Sequence, residues 1–180
     1  MKHFKQITSP RIDAALSMLR SEIIRNEHLW LADQSRQAKI QVQKDTQSIP
    51  LRAVYRRERD ERRNEDIQES QITRYSASFP ATMGFLNDMA MFLGGSLERA
   101  LYVRLLPRSV VYPHIDGGLY YAVRDRYHFV VISNSGSLLT SGGEQVIMQP
   151  GELWWFDNKA IHESANLSDE WRVHLIFDIF

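Results

Sequence analysis

From residue 97 the chain reads Leu97-Glu98-Arg99-Ala100-Leu101-Tyr102-Val103-Arg104-Leu105-Leu106, and the pattern that starts here decides the fold. Short runs rich in apolar residues continue to the C-terminus, separated by Gly, Pro, Asn and Ser. Their period of about two residues is typical of β-strands with one buried face. Further strands are predicted at Val110–His114, Tyr127–Ser133, Ser137–Thr140, Gln145–Met148, Leu153–Phe156 and Trp171–Ile179.

Two stretches before residue 97 have the 3.6-residue period of amphipathic helices. The first begins at Ser9-Pro10, a capping residue followed by a proline suited to the first helical position. The second runs from Phe79-Pro80 to Gly94-Gly95. Helices followed by many short strands indicate a mainly β fold with flanking helices on one face of an antiparallel sheet. We therefore predict a double-stranded β-helix, which is a jelly-roll or cupin-like barrel.

The segment between these helices is less regular. Ile40–Gln43 and Ser48–Tyr55 are strand candidates, and Pro50 favours an edge or a strand start. Residues 56–69 are dense in charges of both signs. We interpret this stretch as a solvated loop or exposed helix, the alternative being a lid that grips an anionic substrate.

Composition limits the classes of function. The 180 residues suit a single domain, 1–180, with an N-terminal helical and strand support over 1–96 and a metal-site core over 97–180. Lys plus Arg equals Asp plus Glu at 22 each, so neither nucleic acid nor a membrane is an expected partner, and the oligomeric state is left open. There is no cysteine, secretory signal or long apolar run, and we expect a cytoplasmic protein.

One set of residues suggests chemistry. His114-Ile115-Asp116 places two metal-ligating types on the same side of a predicted strand, and His162 follows from another strand. Two imidazoles and one carboxylate form the ligand set that binds non-haem Fe(II) and leaves positions open. Arg172 lies in the last strand and can pair with a carboxylate through its planar fork. His-x-Asp alone is a weak signal, and the combination carries the prediction.

At these residues the chain resembles a known family. From about Thr46 to Phe180 it is similar to the aspartyl/asparaginyl β-hydroxylases, which are Fe(II)- and 2-oxoglutarate-dependent dioxygenases. The matching segments are Thr46–Arg52, Leu105–Pro107 with Pro113–Asp116, Arg126–His128, Gly151–Asp157 with His162-Glu163, and Trp171–Asp178.

The resemblance implies that His114, Asp116 and His162 hold Fe(II) and that Arg172 pairs with the far carboxylate of 2-oxoglutarate. It also places Arg126 and His128 in the pocket, on the cosubstrate or the substrate. The implied reaction consumes dioxygen, hydroxylates an amino acid, another small metabolite or a residue in a peptide or protein, and releases succinate and CO2.

Other residues are weaker candidates for substrate binding. Arg108, Tyr120, Trp155 and His174 belong to this group, although Trp154 and Trp155 face opposite ways in a strand, so at most one of the two lines the pocket. Tyr120 follows Gly117-Gly118, which we interpret as a mobile loop beside the metal. The competing hypotheses are a cupin-like metal protein with non-oxidative chemistry and a non-enzymatic binding module. Arg172 favours the dioxygenase.

Overall fold

The computed structural model describes residues 1–33, 41–54 and 69–180, in which the strands form two antiparallel sheets. The strands are β1 Phe4–Ile7, β2 Thr46–Ala53, β3 Gln71–Ile72, β4 Leu97–Leu105, β5 Ser109–His114, β6 Asp125–Ile132, β7 Ser137–Ser141, β8 Glu144–Val146, β9 Leu153–Phe156, β10 His162–Asn166 and β11 Arg172–Ile179. The large sheet has the order β1-β9-β6-β11-β4-β2-β3, and the small sheet has the order β5-β10-β7-β8.

From β4 onward the chain crosses repeatedly between the two sheets. β4, β6, β9 and β11 belong to the large sheet, whereas β5, β7, β8 and β10 belong to the small one. This alternation is the topology of a jelly-roll, so the prediction of a mainly β fold with a cupin-like barrel is confirmed. The strands β1, β2 and β3, from the segment 1–96, extend the same large sheet.

Two helices, α1 Pro10–Arg25 and α2 Pro80–Leu93, cover the outer face of the large sheet, as the sequence predicted. A short third helix, α3 Leu119–Ala122, follows β5. The main core lies between the helices and the sheet, where Leu19, Leu86, Phe129 and Leu175 are completely buried. Burying each such side chain contributes about 1.5–3 kcal/mol, so this layer holds the sheet rigid behind its inner face.

The ends of the two helices follow the sequence signals. The hydroxyl oxygen of Ser9 accepts a hydrogen bond from the main-chain N–H of Arg11, and Pro10 occupies the first helical position. α2 ends at Gly94, which has the left-handed φ of 76° that favours glycine at this position. The start of α1 and the end of α2 therefore lie where local chemistry favours them.

Glu22 joins the two helices. This α1 residue is 1% exposed, and its carboxylate accepts hydrogen bonds from the main-chain N–H of Ala81 at 2.7 Å and of Thr82 at 2.8 Å. It also accepts the hydroxyl of Thr82 at 2.7 Å. The first turn of an α-helix has N–H groups without intrahelical acceptors and a partial positive charge. The buried carboxylate of Glu22 accepts hydrogen bonds from two of these groups in α2 and offsets the positive charge.

Some expectations for the first half of the chain differ from the structure. Residues 41–43 form a 3-10 turn rather than a strand. The main-chain N–H of Lys44 donates to the carbonyl of Gln41, and the hydroxyl of Thr46 donates to the carbonyl of Gln43. Ile40 and residues 56–68 lie outside the described residues. Within the described ranges, no helix combines the length and apolar character needed to cross a membrane.

Candidate metal centre

The structure brings His114, Asp116 and His162 together at one end of the barrel. One ligand atom from each of them lies within 4.8 Å of the other two. His114 ends β5, His162 begins β10, and the two histidines are partners in the antiparallel register. The strand pairing therefore fixes the two imidazoles beside each other, and His162 does come from another strand.

Asp116 reaches the site by a different route from the one predicted. β5 ends at His114, so strand alternation does not place Asp116. Its main-chain N–H instead donates to the carbonyl of Asn158 at 3.0 Å, and the Asn158 side-chain amide donates to Asp116 Oδ2 at 3.0 Å. A contact between two loops thus positions this carboxylate.

Main-chain carbonyls fix the tautomers of both histidines. Nδ1 of His114 lies 2.7 Å from the carbonyl oxygen of Tyr112, and Nδ1 of His162 lies 3.0 Å from that of Ala160. A carbonyl only accepts, so each Nδ1 carries the proton and each Nε2 keeps a lone pair. This is the usual arrangement of metal-ligating histidines.

Arg126 connects the centre to a second carboxylate. Its Nη1 donates to Asp116 Oδ2 at 2.5 Å, while Nε and Nη2 donate to the two oxygens of Asp178 at 2.8 and 3.0 Å. All three side chains are at most 10% exposed. The sequence resemblance placed Arg126 on cosubstrate or substrate, but here its three nitrogens are engaged by aspartates.

The electrostatics favour an ionised Asp116. Burial acts most strongly and would raise its pKa, but Arg126, the Asn158 amide and the two histidines together outweigh burial, so the pKa lies below its ordinary value. Burial lowers the pKa of His162, and the opposing effect of the Ala160 carbonyl is smaller. A carboxylate and neutral imidazoles are the forms that bind a metal ion.

A second group of polar side chains lies in the barrel interior. Arg172 begins β11 and His174 lies two residues later on the same face; they are 3% and 1% exposed. Nδ1 of His174 lies 3.1 Å from Nδ1 of His128, which is on the neighbouring β6. One of these two rings must donate and the other accept, so at least one is neutral.

Burial acts on all three of these groups. It lowers the pKa values of His128 and His174 well below their ordinary value, and the Arg172 charge adds to the effect. Burial also lowers the pKa of Arg172 to about 10. Among the described residues, Nε and Nη1 of Arg172 and Nε2 of His174 are buried without a hydrogen-bond partner.

The weaker candidates lie elsewhere. Arg108 lies in the β4–β5 turn and pairs with Asp169 in an exposed ion pair, at the end of β5 opposite to His114. Trp155 packs against the helix-side core and donates to Asp125, so it does not line the interior. Both are therefore poor candidates for substrate binding.

The Gly117-Gly118 segment leads into the short helix α3, whereas the sequence predicts only a loop here. The hydroxyl of Tyr120 accepts the Arg99 main-chain N–H at 3.1 Å, and the hydroxyl of Tyr121 accepts from Arg99 Nη1 at 2.5 Å. The Tyr121 ring also stacks 4.8 Å from the Arg126 guanidinium. α3 thus connects Arg99 to the edge of the metal centre.

The sequence reasoning missed Asn158, Asp178 and Arg99. Asn158 and Asp178 are 1% exposed, which is rare for polar side chains unless they are paired. Their only sequence signal was their place in the segments that also carry His162 and Arg172. The neighbour of Asp178 depends on strand register and that of Asn158 on a contact between two loops, and one sequence specifies neither.

A groove of about 450 Å³ adjoins the centre at His162 and is bordered by Pro113, Ile161 and Glu163. The residues next to the ligands, Ile115 and Ile161, are 53% and 62% exposed. The residue types of His114, Asp116 and His162 suit a divalent ion, and the buried, unpartnered guanidinium nitrogens of Arg172 suit a carboxylate.

Solved structures show which fold this is. The viral collagen prolyl hydroxylase of Paramecium Bursaria Chlorella virus-1, solved as a 2OG complex, is similar with a TM-score of 0.57 and 9% identity, over 98% of this chain and 95% of that one. AviO1 from Streptomyces viridochromogenes gives a TM-score of 0.55 and 14% identity, over 98% of this chain and 88% of that one. At such identities the likeness shows the fold alone.

A third structure covers less. An oxidoreductase of the 2OG-Fe(II) oxygenase family from Burkholderia pseudomallei gives a TM-score of 0.51 and 14% identity, over 74% of this chain. This chain spans 66% of that protein's length, slightly less than two thirds.

The sequence itself decides the family. No curated protein matches the chain. The sequence profile described as Aspartyl/Asparaginyl beta-hydroxylase, however, matches residues 20–180, which include every residue of the metal centre and the polar interior. The chain therefore belongs to the aspartyl/asparaginyl β-hydroxylase family, a family of hydroxylase enzymes.

Proposed function

We propose that this protein is an Fe(II)- and 2-oxoglutarate-dependent dioxygenase. It hydroxylates an unactivated C–H bond of an amino acid, a small metabolite or an amino-acid residue in a peptide, and releases succinate and CO2. The single observation that carries this proposal is the buried guanidinium of Arg172, which has no acidic partner among the described residues.

An unpaired buried charge is costly. Two nitrogens of Arg172 lack hydrogen bonds in the described structure, and burying a charge without a partner destabilises a protein by several kcal/mol. A bound carboxylate supplies both the missing charge and the missing acceptors. We infer that Arg172 receives a carboxylate ligand.

His174 extends this carboxylate site. Its unpartnered Nε2 lies on the same strand face as Arg172, two residues along β11. With the Nδ1 contact to His128 made on the other side of the ring, Nε2 is available to the ligand. A dicarboxylate such as 2-oxoglutarate has one carboxylate to pair with a buried cation and a second to bind a divalent metal ion.

The three side chains of the candidate metal centre, His114, Asp116 and His162, fit Fe(II). Nε2 of His114 and of His162 and a carboxylate oxygen of Asp116 make up the two-His, one-carboxylate set that would hold Fe(II). When bound, Fe(II) together with 2-oxoglutarate and dioxygen supplies the oxidising power that hydroxylates a C–H bond. The protein binds and orients the reactants, and the pairing of β5 with β10 in the small sheet keeps the two imidazoles in place.

Arg99 is our candidate for recognising the substrate. It is half-buried beside α3, held by Tyr120 and Tyr121, and no carboxylate contacts it within the described residues. Arg126 and Arg108, by contrast, are already paired with aspartates. We propose that Arg99 binds the carboxylate of a free amino acid or a peptide C-terminus.

A panel assay tests the proposed function. The Fe(II)-loaded protein is incubated with 2-oxoglutarate, dioxygen and each of the free amino acids and short peptides, and succinate is measured. We expect one substrate group to raise succinate formation above the substrate-free rate, and Arg172→Met to abolish the increase. Succinate formation that stays at the background rate across the panel, with no 2-oxoglutarate binding, would favour a cupin-like metal protein.

Arg99→Met provides the matched test of substrate recognition. It should raise the KM of the identified substrate without changing the affinity for 2-oxoglutarate, because Arg99 lies outside the Arg172 site. An unchanged KM contradicts the role of Arg99 and leaves the reaction class intact.

A further inference from the structure

Asp178 has no role in the reaction proposed above, yet it is one of the most deeply buried charges in the described structure. It lies near the end of β11 and is 1% exposed. It is the cross-strand partner of Arg126 on β6, so the sheet register holds the two side chains opposite each other. A buried carboxylate in this position needs an explanation beyond packing.

The hydrogen bonds of Arg126 explain why Asp178 is buried at this position. Its Nε and Nη2 form a two-bond fork on Asp178, at 2.8 and 3.0 Å. Only Nη1 is directed at Asp116, and it contacts Oδ2. Asn158 also donates to Oδ2, so Oδ1 of Asp116 accepts no hydrogen bond from the residues that the structure describes.

Arginine prefers to bind a carboxylate with two parallel hydrogen bonds. Beside Asp116 alone, the guanidinium can place its fork on both carboxylate oxygens, so that neither is left without a hydrogen bond. Asp178 occupies that fork and limits Arg126 to one bond with Asp116. Oδ2, which lies 4.0 Å from His162 Nε2, accepts both hydrogen bonds, and Oδ1 keeps its lone pairs for a metal ion.

We propose that Asp178 is a positioning residue for the metal centre, acting through Arg126 to keep one oxygen of Asp116 free. It touches neither the metal nor the reactants. The inference rests on the metal centre of the proposed function and does not depend on 2-oxoglutarate chemistry.

The test is the affinity of the apoprotein for Co(II), measured by titration calorimetry, with urea unfolding as a check on folding. Asp178→Asn keeps the size of the side chain but offers one acceptor oxygen, so the fork cannot form. We expect the Co(II) affinity to fall about 10-fold or more, the usual effect of losing a group that orients a metal ligand.

A matched control exists in the same chain. Asp169 forms the same two-bond pair with Arg108, at 2.8 and 2.9 Å, on the exposed surface. Asp169→Asn should leave the Co(II) affinity unchanged. Equal affinities of Asp178→Asn and the wild-type protein would overturn the proposal.

The route through Arg126 is tested by a double variant. In an Arg126→Met background there is no guanidinium to cover Asp116, so adding Asp178→Asn should not lower the Co(II) affinity further. A further 10-fold loss there would show that Asp178 acts on the fold rather than through Arg126. If Asp178→Asn does not fold, Asp178→Glu, which keeps both oxygens, should retain Co(II) affinity closer to wild type than Asp178→Ala does.

The outcomes also separate this inference from the proposed function. A wild-type protein that binds no Co(II) contradicts the metal centre itself. A wild-type protein that binds Co(II), with Asp178→Asn equal to it, contradicts only the role of Asp178.

Discussion

The rings of His114 and His162 lie side by side across the β5–β10 pair, with centroids 4.2 Å apart and planes inclined by 52°. The two residues are register partners, so the main chain brings them together before any ion binds. A metal centre built in this way is preorganised, and its affinity depends on each imidazole.

His162→Ala removes one of the two nitrogen ligands and is expected to abolish Co(II) and Fe(II) binding together with turnover. Titration calorimetry and metal analysis of the purified protein measure this loss. His28→Ala is the control, because His28 lies exposed in a 3-10 turn. A His162→Ala protein with undiminished metal content would remove the assignment of this centre.

Arg172→Met should separate stability from ligand binding. Replacing the unpaired buried cation by an apolar side chain is expected to raise the free energy of unfolding of the apoprotein by about 1–4 kcal/mol, by analogy with buried charges replaced by apolar residues. The same change should eliminate 2-oxoglutarate affinity and leave Co(II) affinity within a few-fold.

Ligand-induced stabilisation supplies the measurement. At 100 times its Kd, 2-oxoglutarate should raise the free energy of unfolding of the wild-type metal complex by about 2.7 kcal/mol. The Arg172→Met complex should show no increase. Equal stabilisation of both proteins would mean that the carboxylate binds elsewhere.

The buried histidines predict a pH dependence of stability. Burial holds the pKa values of His128 and His174 below the ordinary value in the folded protein. Well above about pH 6.5 both are neutral in the folded and unfolded states. As pH falls below this value the unfolded chain takes up protons first, so stability is lost, by up to about 1.4 kcal/mol per pH unit for each histidine.

Urea unfolding of the apoprotein between pH 7 and 5 measures that slope. His174→Asn removes one titrating group and should make the slope shallower, whereas His28→Asn, which changes an exposed side chain, should not. An identical slope in the His174→Asn and wild-type proteins would contradict the burial argument.

Glu22→Ala should destabilise the protein through α2. The change leaves the N–H groups of Ala81 and Thr82 without their buried acceptor. Loss of these charged hydrogen bonds is expected to lower the free energy of unfolding by about 3 kcal/mol, measured by urea denaturation. Asp88→Ala, at an exposed position of α2, should change it by less than about 0.5 kcal/mol.

The sequence predicted elements whose burial follows a simple period. α1 starts after Ser9 as expected, and β9 spans Leu153–Phe156 as predicted. In contrast, the sequence pattern did not predict that a strand, β10, continues after His162. The buried positions of β10 are His162, Ser164 and Asn166, so its buried residues are polar rather than apolar. A strand that lines a polar interior lacks the hydrophobic alternation from which strands are recognised.

The candidate site was predictable only in part. Metal-ligating residue types at a suitable spacing were enough to select His114, Asp116 and His162. Arg172 could be selected because it is a charged residue in an otherwise apolar strand. The partners of Arg126 could not be selected in this way. They follow from the register of β6 against β11, which pairs it with Asp178, and from the loop contact that brings in Asp116.

The carbonyls of Tyr112 in β5 and of Ala160 in the loop before β10 orient the imidazoles of His114 and His162, so main-chain groups hold the candidate metal centre in place. Ile115 and Ile161 alternate with the ligands along the chain and point into solvent. Substitutions at these two positions are therefore expected to change the surface beside the candidate metal centre without displacing its three ligand side chains. For the proposed dioxygenase, libraries at Ile115 and Ile161 are accordingly a direct route to new substrates.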